Sequence, residues 1–230
     1  MSVKHLQGLA LLILSLVLNS CLDKQSGIIA LPTSSDGEVS DRAIPAEIRS
    51  TFSSYVNLYE GTTPPIITGC YEITPMTTVY CSDAGGYEPG RVINDMKIYF
   101  GEQANRGVIL EYKEQEYSST SKASNVQITG YGSYFTAYFI NYGNDDDGVS
   151  TSKHSTVISG EITSSGIRNI QYAFIMLEKN DPYDKMMPVN AYRVFKDGDG
   201  MAYNTYDFYA PVRRASKVDK GNVNSNVQFK

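Results

Sequence analysis

Apolar and polar residues alternate along most of the chain between Ile66 and Lys196. A period of two residues is typical of a half-buried β-strand, because successive side chains of a strand point to opposite faces. Met96, Ile98 and Phe100 are one example, since the alternation places all three on one face of a short segment. The pattern predicts a mainly β protein.

Turn sequences rich in glycine, serine and asparagine separate the alternating segments. Residues 103–107, 130–133 and 164–166 are short enough to predict tight hairpins. Residues 82–90 and 180–189 are longer loops. The predicted strands cover residues 66–82, 95–101, 108–117, 125–129, 134–142, 156–163, 167–179 and 191–196.

These segments amount to an antiparallel meander of about eight strands with no helical pattern between them. Parallel pairing needs long crossover connections, so neighbouring strands are expected to be antiparallel. Such a meander removes its exposed edges when it closes into a barrel, whose interior holds side chains or one small ligand. A two-sheet β-sandwich is the alternative that explains the same pattern.

A period of three to four residues precedes the strands and predicts one short N-terminal amphipathic helix over residues 45–59. Pro45 suits the first helical turn, and Gly61 suits the position after the last one. The helix would bury its single apolar stripe against the β-domain. The stripe consists of Ile48, Phe52, Tyr55, Val56 and Tyr59.

The start of the chain combines a positive charge at Lys4 with an apolar run over residues 9–18. A helix needs about 20 apolar residues to span a bilayer, and this run has instead the length of a signal-peptide core. It ends in Leu-Asn-Ser-Cys at residues 18–21, which resembles the lipobox of bacterial lipoproteins. The resemblance implies that residues 1–20 are cleaved and that Cys21 carries fatty acyl chains that anchor the protein to a membrane.

Composition fits one exported domain. Removal of the signal leaves about 210 residues, which is enough to bury a real core. Residues 21–43 predict a flexible tether, residues 44–209 the β-domain and residues 210–230 a polar C-terminal tail. The formal charge of the whole chain is −5, so we expect no nucleic acid among its partners.

Two cysteines, Cys70 and Cys81, remain in the domain once Cys21 is assigned to lipid. A disulfide between them would persist in the oxidising compartment of an exported protein. If the chain turns at Pro75 and Met76, the two cysteines face each other across a hairpin and can bond. If one strand runs through all ten intervening residues, it separates them by about 30 Å and both thiols stay free.

Local sequences resemble two groups of proteins. Gly-Cys-Tyr at residues 69–71 looks like the opening Gly-x-aromatic motif of lipocalin- and calycin-like barrels. Residues 158–169 and 193–200 are similar to uncharacterised lipoproteins of the Bacteroidota, and the likeness covers roughly residues 44–203. The resemblance implies a calycin/lipocalin-like barrel in a lipid-anchored protein of the cell envelope, most simply of the outer membrane. It carries over no activity.

Residues for catalysis are few, and we expect no enzyme and no cofactor. His154 is the only histidine after the signal, and it lies beside a polar loop, so it is expected at the surface. Two suitably spaced carboxylates would suffice for glycoside hydrolysis, but nothing in the sequence pairs any two of them. The candidates on or near strands are Glu72, Glu111, Glu114, Glu116 and Glu161.

Two acidic loops, residues 144–148 and 197–200, offer oxygen ligands for calcium. Neither has the spacing of an EF-hand, so no metal is expected.

Tyrosines form a second chemical signal, because such rings suit sugar faces and protein interfaces, although strands are often rich in them. The tyrosines of the most aromatic segment are Tyr131, Tyr134, Tyr138 and Tyr142.

Three functions remain open. The leading hypothesis is a non-enzymatic envelope protein that binds a small molecule or a glycan, and a deep apolar cavity would support it. The second is an envelope scaffold or interaction module without a small ligand, which a filled interior would support. The third is a carboxylate-dependent glycan hydrolase, which needs a cleft with two carboxylates.

Overall fold

The computed structural model describes residue 50 and residues 52–83, 85, 87–114, 120–144 and 148–210. In this part of the chain the protein is a closed antiparallel β-barrel. The strands are β1 (Gly69–Ile73), β2 (Met76–Cys81), β3 (Met96–Ala104), β4 (Gly107–Glu114), β5 (Ser121–Tyr131), β6 (Tyr134–Asn144), β7 (Thr151–Thr163), β8 (Gly166–Asn180), β9 (Tyr192–Asp197) and β10 (Met201–Thr205).

Eight strands form the ring, in the order β1, β3, β4, β5, β6, β7, β8 and β10. The ring closes because β10 pairs with both β8 and β1. Strands β2 and β9 pair with each other and prolong the wall, since β1 continues into β2 through a bend at Thr74 and Pro75, and β9 continues into β10. The predicted antiparallel barrel is confirmed, and the β-sandwich alternative is wrong.

Two-residue turns join the strands at one end of the barrel, which we call the closed end. They fall at residues 105–106, 132–133 and 164–165, within the three predicted hairpin sequences. Asn105 (φ 55°) and Gly132 (φ 59°) adopt the left-handed conformation that tight hairpins use. At the other end, which we call the open end, strands are joined by the longer connections 82–95, 115–120, 145–150 and 181–191.

Residues 61–68 cross the closed end and block it. Backbone hydrogen bonds join this segment to Gly130. The Ile67 side chain is fully buried in the interior of the barrel. Gln103 fixes the segment from the wall, because its side chain accepts a bond from Ile67 N–H (2.9 Å) and donates one to the Pro65 carbonyl (2.9 Å).

Alternation along β6 separates an inner from an outer core. The alternation predicts that Phe135, Ala137 and Phe139 share a face, and all three belong to the cluster inside the barrel. Tyr138 belongs to a second cluster on the outer wall. Both faces of the strand are therefore buried, which explains why the segment is so rich in aromatic residues.

Alternation along β8 is interrupted near its start. The alternation makes the face of Ile170, Tyr172, Phe174 and Met176 the better core candidate, and these residues do face inward. It also places Ile167 on the opposite face with Gln171 and Ala173, and this expectation is wrong, because Ile167 lies in the inner core too. The reason is a β-bulge with Asn169 at φ 50°, across which the register with β7 shifts.

Residues 52–60 lie on the outer wall of the barrel, and we call them the N-terminal strap. Phe52 and Val56 are fully buried there against strands β6 to β9, so these two residues of the predicted apolar stripe pack against the β-domain as expected. The predicted helix is not confirmed. Residues 45–49 and 51 lie outside the described part, Ser50 and Phe52 are helical, residues 53–55 form a turn, and residues 57–60 have no regular secondary structure.

Polar side chains of the wall fix the strap in place. Gln171 accepts a hydrogen bond from Asn57 N–H (2.9 Å) and donates one to the Tyr55 carbonyl (2.7 Å). Further on, Tyr59 N–H donates to the Thr136 hydroxyl (2.7 Å). The strap therefore runs along the barrel from the open end to the closed end, where it continues into residues 61–68.

The two cysteines of the domain are free. The hairpin that would bring them together does not form, because the bend at Pro75 leads β2 away from β1. Cys70 lies beside Thr205 of β10, and Cys81 lies beside Arg193 of β9. The structure thus contains no Cys70–Cys81 disulfide, and burial raises the pKa of the Cys70 thiol to about 11.

Candidate functional site

Cross-strand register arranges the inward-facing residues in rows around the barrel. One row near the middle contains Ala137, Ile158, Tyr172 and Phe195. Three of these side chains are fully buried, and Tyr172 is only 5% exposed. Side chains that are packed this closely leave no room for a ligand between them. The described interior is therefore filled from this row to the closed end, and it holds no deep apolar cavity.

The next row towards the open end is different in chemistry. It contains Phe139, Thr156, Phe174, Arg193 and Cys81, which follow one another across β6, β7, β8, β9 and β2. A hydroxyl, a guanidinium and a thiol thus share one row with two phenyl rings. At this polar row the inner core is no longer purely apolar.

A third row lies closer still to the open end. Here Asn141, His154 and Met176 face one another across β6, β7 and β8. The Asn141 amide donates a hydrogen bond to the Tyr112 hydroxyl (2.7 Å), and the His154 ring contacts the Phe174 ring edge-on at 5.6 Å between centroids. We call the residues of these two upper rows the open-end site.

Polar atoms without partners face this site from β7. Ser152, His154 and Thr156 alternate along one face of the strand and are 5%, 8% and 0% exposed. Within the described residues, Ser152 Oγ, His154 Nε2 and Thr156 Oγ1 have no hydrogen-bond partner. Buried polar atoms are nearly always hydrogen-bonded to protein or water, so these three atoms on one face make this part of the barrel the candidate site.

Burial keeps His154 neutral. It lowers the pKa of the imidazole to about 4, and the positive charge of Arg193 acts in the same direction. A neutral imidazole offers one N–H donor and one acceptor nitrogen. The expectation that His154 lies at the surface is wrong, because β7 begins at Thr151 and places the ring on the inner face of the strand.

The charge of Arg193 is balanced within the site. Its guanidinium donates two hydrogen bonds to Asp83, of 3.1 Å to Oδ1 and 2.7 Å to Oδ2, and lies 4.2 Å from the centre of the Tyr87 ring. Cys81 Sγ donates to the same carboxylate (2.8 Å). Burial alone would raise the pKa of Asp83, but the bonds from Arg193 and Cys81 hold it below its ordinary value.

Two connections supply the rim of the site. Tyr87, from the segment between β2 and β3, belongs to the inner core, and so do Met186, Met187 and Ala191 from the segment between β8 and β9. These four residues are only 4–8% exposed, so they pack over the open end of the inner core. The rim adds thioether and aromatic surface to a site that is otherwise polar on one side.

The glutamates suggested by the sequence do not converge. Glu111 forms an ion pair with Lys122 (3.0 Å), and Glu161 forms one with Arg168 (3.0 Å). Glu72 lies opposite Lys97 on the paired strands β1 and β3. The Glu114 side chain and Glu116 lie outside the described part. The described residues thus contain no cleft in which two of these carboxylates face a substrate.

The acidic loop at residues 197–200 has a structural use. Asp197 Oδ1 accepts hydrogen bonds from the backbone N–H groups of Asp199, Gly200 and Met201, at 2.9–3.1 Å. Its carboxylate therefore shapes the corner between β9 and β10. In the described part of the chain, no group of three metal-ligating side chains comes together, while residues 145–147 of the other acidic loop lie outside that part.

Sequence reasoning missed Arg193 and Thr156. Arg193 stands two residues before Phe195 in an alternating strand, so the period of two already placed a charged residue on an apolar face. Such a residue is a stronger signal of a site than the exposed acidic loops were. Cys21, the predicted lipidation site, lies outside the described residues.

No protein-family model, curated protein or solved structure matches this chain. The assignment to a lipocalin-like type therefore stays a prediction, as does the resemblance to envelope lipoproteins. None of the helices in the described residues is long and apolar enough to cross a membrane.

Proposed function

We propose that this protein is a lipid-anchored component of the cell envelope that binds a small ligand at the open-end site. One observation carries the proposal: within the described residues, buried His154 Nε2 and Thr156 Oγ1 have no partner, and both lie on the inner face of β7. A buried polar atom that is left unpaired costs about 1–3 kcal/mol. A ligand that satisfies both atoms would remove that cost on binding.

The surroundings of these two atoms suit a ligand with an apolar part. Phe174 supplies an apolar ring there, since it contacts the His154 ring edge-on with 5.6 Å between the centroids. Small-molecule sites commonly combine such an apolar surface with a few placed polar groups.

The path of the chain relates the site to the anchor. Phe52, at the start of the strap, contacts Tyr192 at the open end of β9 with 5.8 Å between ring centroids. If the predicted tether, residues 21–43, is a flexible chain, its root-mean-square reach is about 25 Å. A lipid on Cys21 would then hold the open-end site within a few nanometres of the membrane surface.

Analysis of co-purified molecules tests the proposal. The full chain is extracted from its membrane in mild detergent, and native mass spectrometry measures any adduct on the folded protein. We expect a bound small molecule on the wild type and much less of it on Thr156→Val, which keeps the shape of the side chain but removes the hydroxyl. Equal occupancy of the two proteins, or no adduct on either, would count against the proposal.

A second candidate function, an interaction module, rests on a different surface. Tyr59, Tyr134 and Tyr131 form a connected series on the outer wall, with ring centroids 4.9 Å and 5.8 Å apart. Tyr131 is 54% exposed, and the ion pair of Glu161 and Arg168 lies beside Tyr134. Together with the filled lower half of the barrel, this surface favours contact with a glycan or a protein.

A photo-crosslinking amino acid at Tyr131 tests the second candidate in intact cells. Crosslinks to one envelope glycan or protein from position 131, and none from the exposed control position Lys122, would support an interaction module. A crosslink pattern that is the same at both positions would count against it.

A further inference from the structure

We infer that residues 206–210, which we call the C-terminal clasp, form a lid on the outer wall of the barrel that opens and closes while the barrel stays folded. The clasp lies over β1, β3 and β4, whereas the N-terminal strap lies over β6 to β9. The inference therefore goes beyond the proposed function and does not depend on the open-end site.

The clasp begins where β10 ends at Thr205. Its buried side chain is Phe208, whose ring contacts the ring of Tyr99 on β3 with 6.1 Å between the centroids. The ammonium group of Lys113 on β4 lies 5.4 Å from the centre of the Phe208 ring. Since β1 stands between β10 and β3 in the barrel, the clasp crosses β1 to make these contacts.

The wall beneath the clasp is buried although it faces outward. Cross-strand register places Cys70 beside Tyr99 and Glu72 beside Lys97 on the paired strands β1 and β3. Alternation points these side chains outward, because the residues between them belong to the inner core. Cys70, Glu72 and Lys97 are nevertheless buried, whereas Tyr203, the neighbour of Glu72 on β10, is 52% exposed. The outer wall is therefore covered over β1 and β3 and open at β10.

Backbone carbonyls of the clasp supply this cover. Lys97 Nζ donates hydrogen bonds to the carbonyls of Asp207 (2.8 Å) and Ala210 (2.9 Å), and Lys113 Nζ donates to the Ala210 carbonyl at 3.3 Å. Lys97 is only 1% exposed, so these carbonyls replace water as partners of its charge. Burial raises the pKa of the Cys70 thiol to about 11, so the thiol is protonated as well as covered at neutral pH.

The contacts of the clasp allow it to move as one piece. Asp207 Oδ1 accepts hydrogen bonds from the N–H groups of Tyr209 and Ala210, at 2.9 Å each, so the turn is held together by its own bonds. Phe208 is the only side chain that the clasp buries. In the part of the chain that the structure describes, no bond between backbone groups joins residues 206–210 to a strand. A segment with so few buried contacts opens at a lower free energy than the core.

Reaction of Cys70 with N-ethylmaleimide measures opening of the clasp on the full chain in mild detergent. The rate at each cysteine is read separately from the masses of proteolytic peptides. In the wild type, the rate at Cys70 divided by its rate in the unfolded chain should exceed the unfolded fraction that denaturant melts give. The excess measures exposure of Cys70 by local opening, without unfolding of the barrel.

Two substitutions should hold the clasp open. We expect Phe208→Ala to raise the rate at Cys70 by about tenfold to hundredfold, because the variant loses the one buried ring of the clasp. Lys97→Met removes both hydrogen bonds from the wall to the clasp, so it should also raise the rate. Tyr206→Ala is the matched control, since it changes an exposed ring of the same segment and should react as the wild type does.

Ile175→Ala is the control for unfolding of the whole barrel. Ile175 is fully buried in the outer core beneath the N-terminal strap, so this variant lowers the free energy of unfolding without a change at the clasp. It should leave the rate at Cys70 almost unchanged. The inference is wrong if Ile175→Ala raises the rate as much as Phe208→Ala does, or if Phe208→Ala reacts as the wild type does. It is also wrong if the relative rate in the wild type equals the unfolded fraction.

Discussion

Burial changes the protonation of individual side chains in this barrel, and His154 is the clearest case. The same imidazole at the surface would gain a proton in mildly acidic solution, but inside the barrel its pKa is about 4. Arg193 shows the opposite result, since it keeps its charge in a buried place because Asp83 is held against it. The two residues lie one row apart, so the charge of one constrains the protonation of the other.

The shifted pKa of His154 predicts a dependence of stability on pH. An unfolded chain binds a proton at His154 below about pH 6.5, whereas the folded protein does so only below about pH 4. Between these values the unfolded state binds more protons, so stability is full above this window and falls as pH falls through it. The loss is at most about 3 kcal/mol at 1.36 kcal/mol per pKa unit.

Denaturant melts of the wild type and of His154→Phe at neutral pH and near pH 4 measure this loss. Asp197 titrates in an overlapping window with the opposite sign, because burial raises its pKa to about 7. The difference between the two proteins isolates His154, since Asp197 is common to both. If the difference between the free energies of unfolding stays constant with pH, His154 is not the buried neutral group described here.

At the scale of single strands, the sequence predicted most where one physical rule acts alone. A period of two residues placed the inward and outward faces of β6 correctly, because β6 is regular from Phe135 to Phe139. The same rule failed at the start of β8, where a bulge at Asn169 changes the register. A bulge arises from the fit to neighbouring strands, so it cannot be predicted from the alternation within one strand.

Strand ends were the second source of error. His154 was expected beside a loop because the predicted strand began at residue 156, whereas β7 begins at Thr151. The segment before residue 156 is polar, and polar residues at the open end of a barrel look like a loop in sequence. The polarity that makes these residues candidates for a binding site is thus also the reason why the sequence pattern did not place them on a strand.

The register of β8 predicts different costs for two neighbouring substitutions. Phe174→Ala removes a ring from the inner core, so we expect a loss of about 3–5 kcal/mol in the free energy of unfolding. Gln171→Ala removes only the two hydrogen bonds that fix the strap, for about 1–3 kcal/mol in total. Chemical denaturation of both variants provides the comparison.

Limited proteolysis distinguishes the two effects further. Gln171→Ala should expose the strap to cleavage near Asn57 while the barrel stays intact, and Phe174→Ala should not do so selectively. A larger loss of stability for Gln171→Ala than for Phe174→Ala would mean that the two faces of β8 are reversed.

At the scale of the whole molecule, the strap is the part of the domain that follows the predicted anchor along the chain. The lipobox-like sequence at residues 18–21 predicts that Cys21 carries fatty acyl chains. Cells fed an alkyne-bearing fatty acid should therefore label the wild-type protein and leave Cys21→Ala unlabelled, as seen after coupling to a fluorescent azide. Cys70→Ala is the control, and it should label normally because Cys70 is a buried residue of the barrel wall. Equal labelling of all three proteins would exclude Cys21 as the site.

Closure of the ring depends on the short seam between β8 and β10. Gly166 pairs with Tyr203 there at φ 149°, and a Cβ at this position would collide with the Ala202 carbonyl oxygen. We therefore expect Gly166→Ala to destabilise the protein by about 2–4 kcal/mol, as strain at a constrained backbone does. Hydrogen exchange should accelerate in β10 and β1 more than in β6, since opening the seam frees these strands first.

Gly132→Ala is the control, because Gly132 has a positive φ but open space around it, and should cost only about 1–2 kcal/mol with no change at the seam. If both variants lose the same stability and exchange rises evenly in all strands, closure does not depend on this contact.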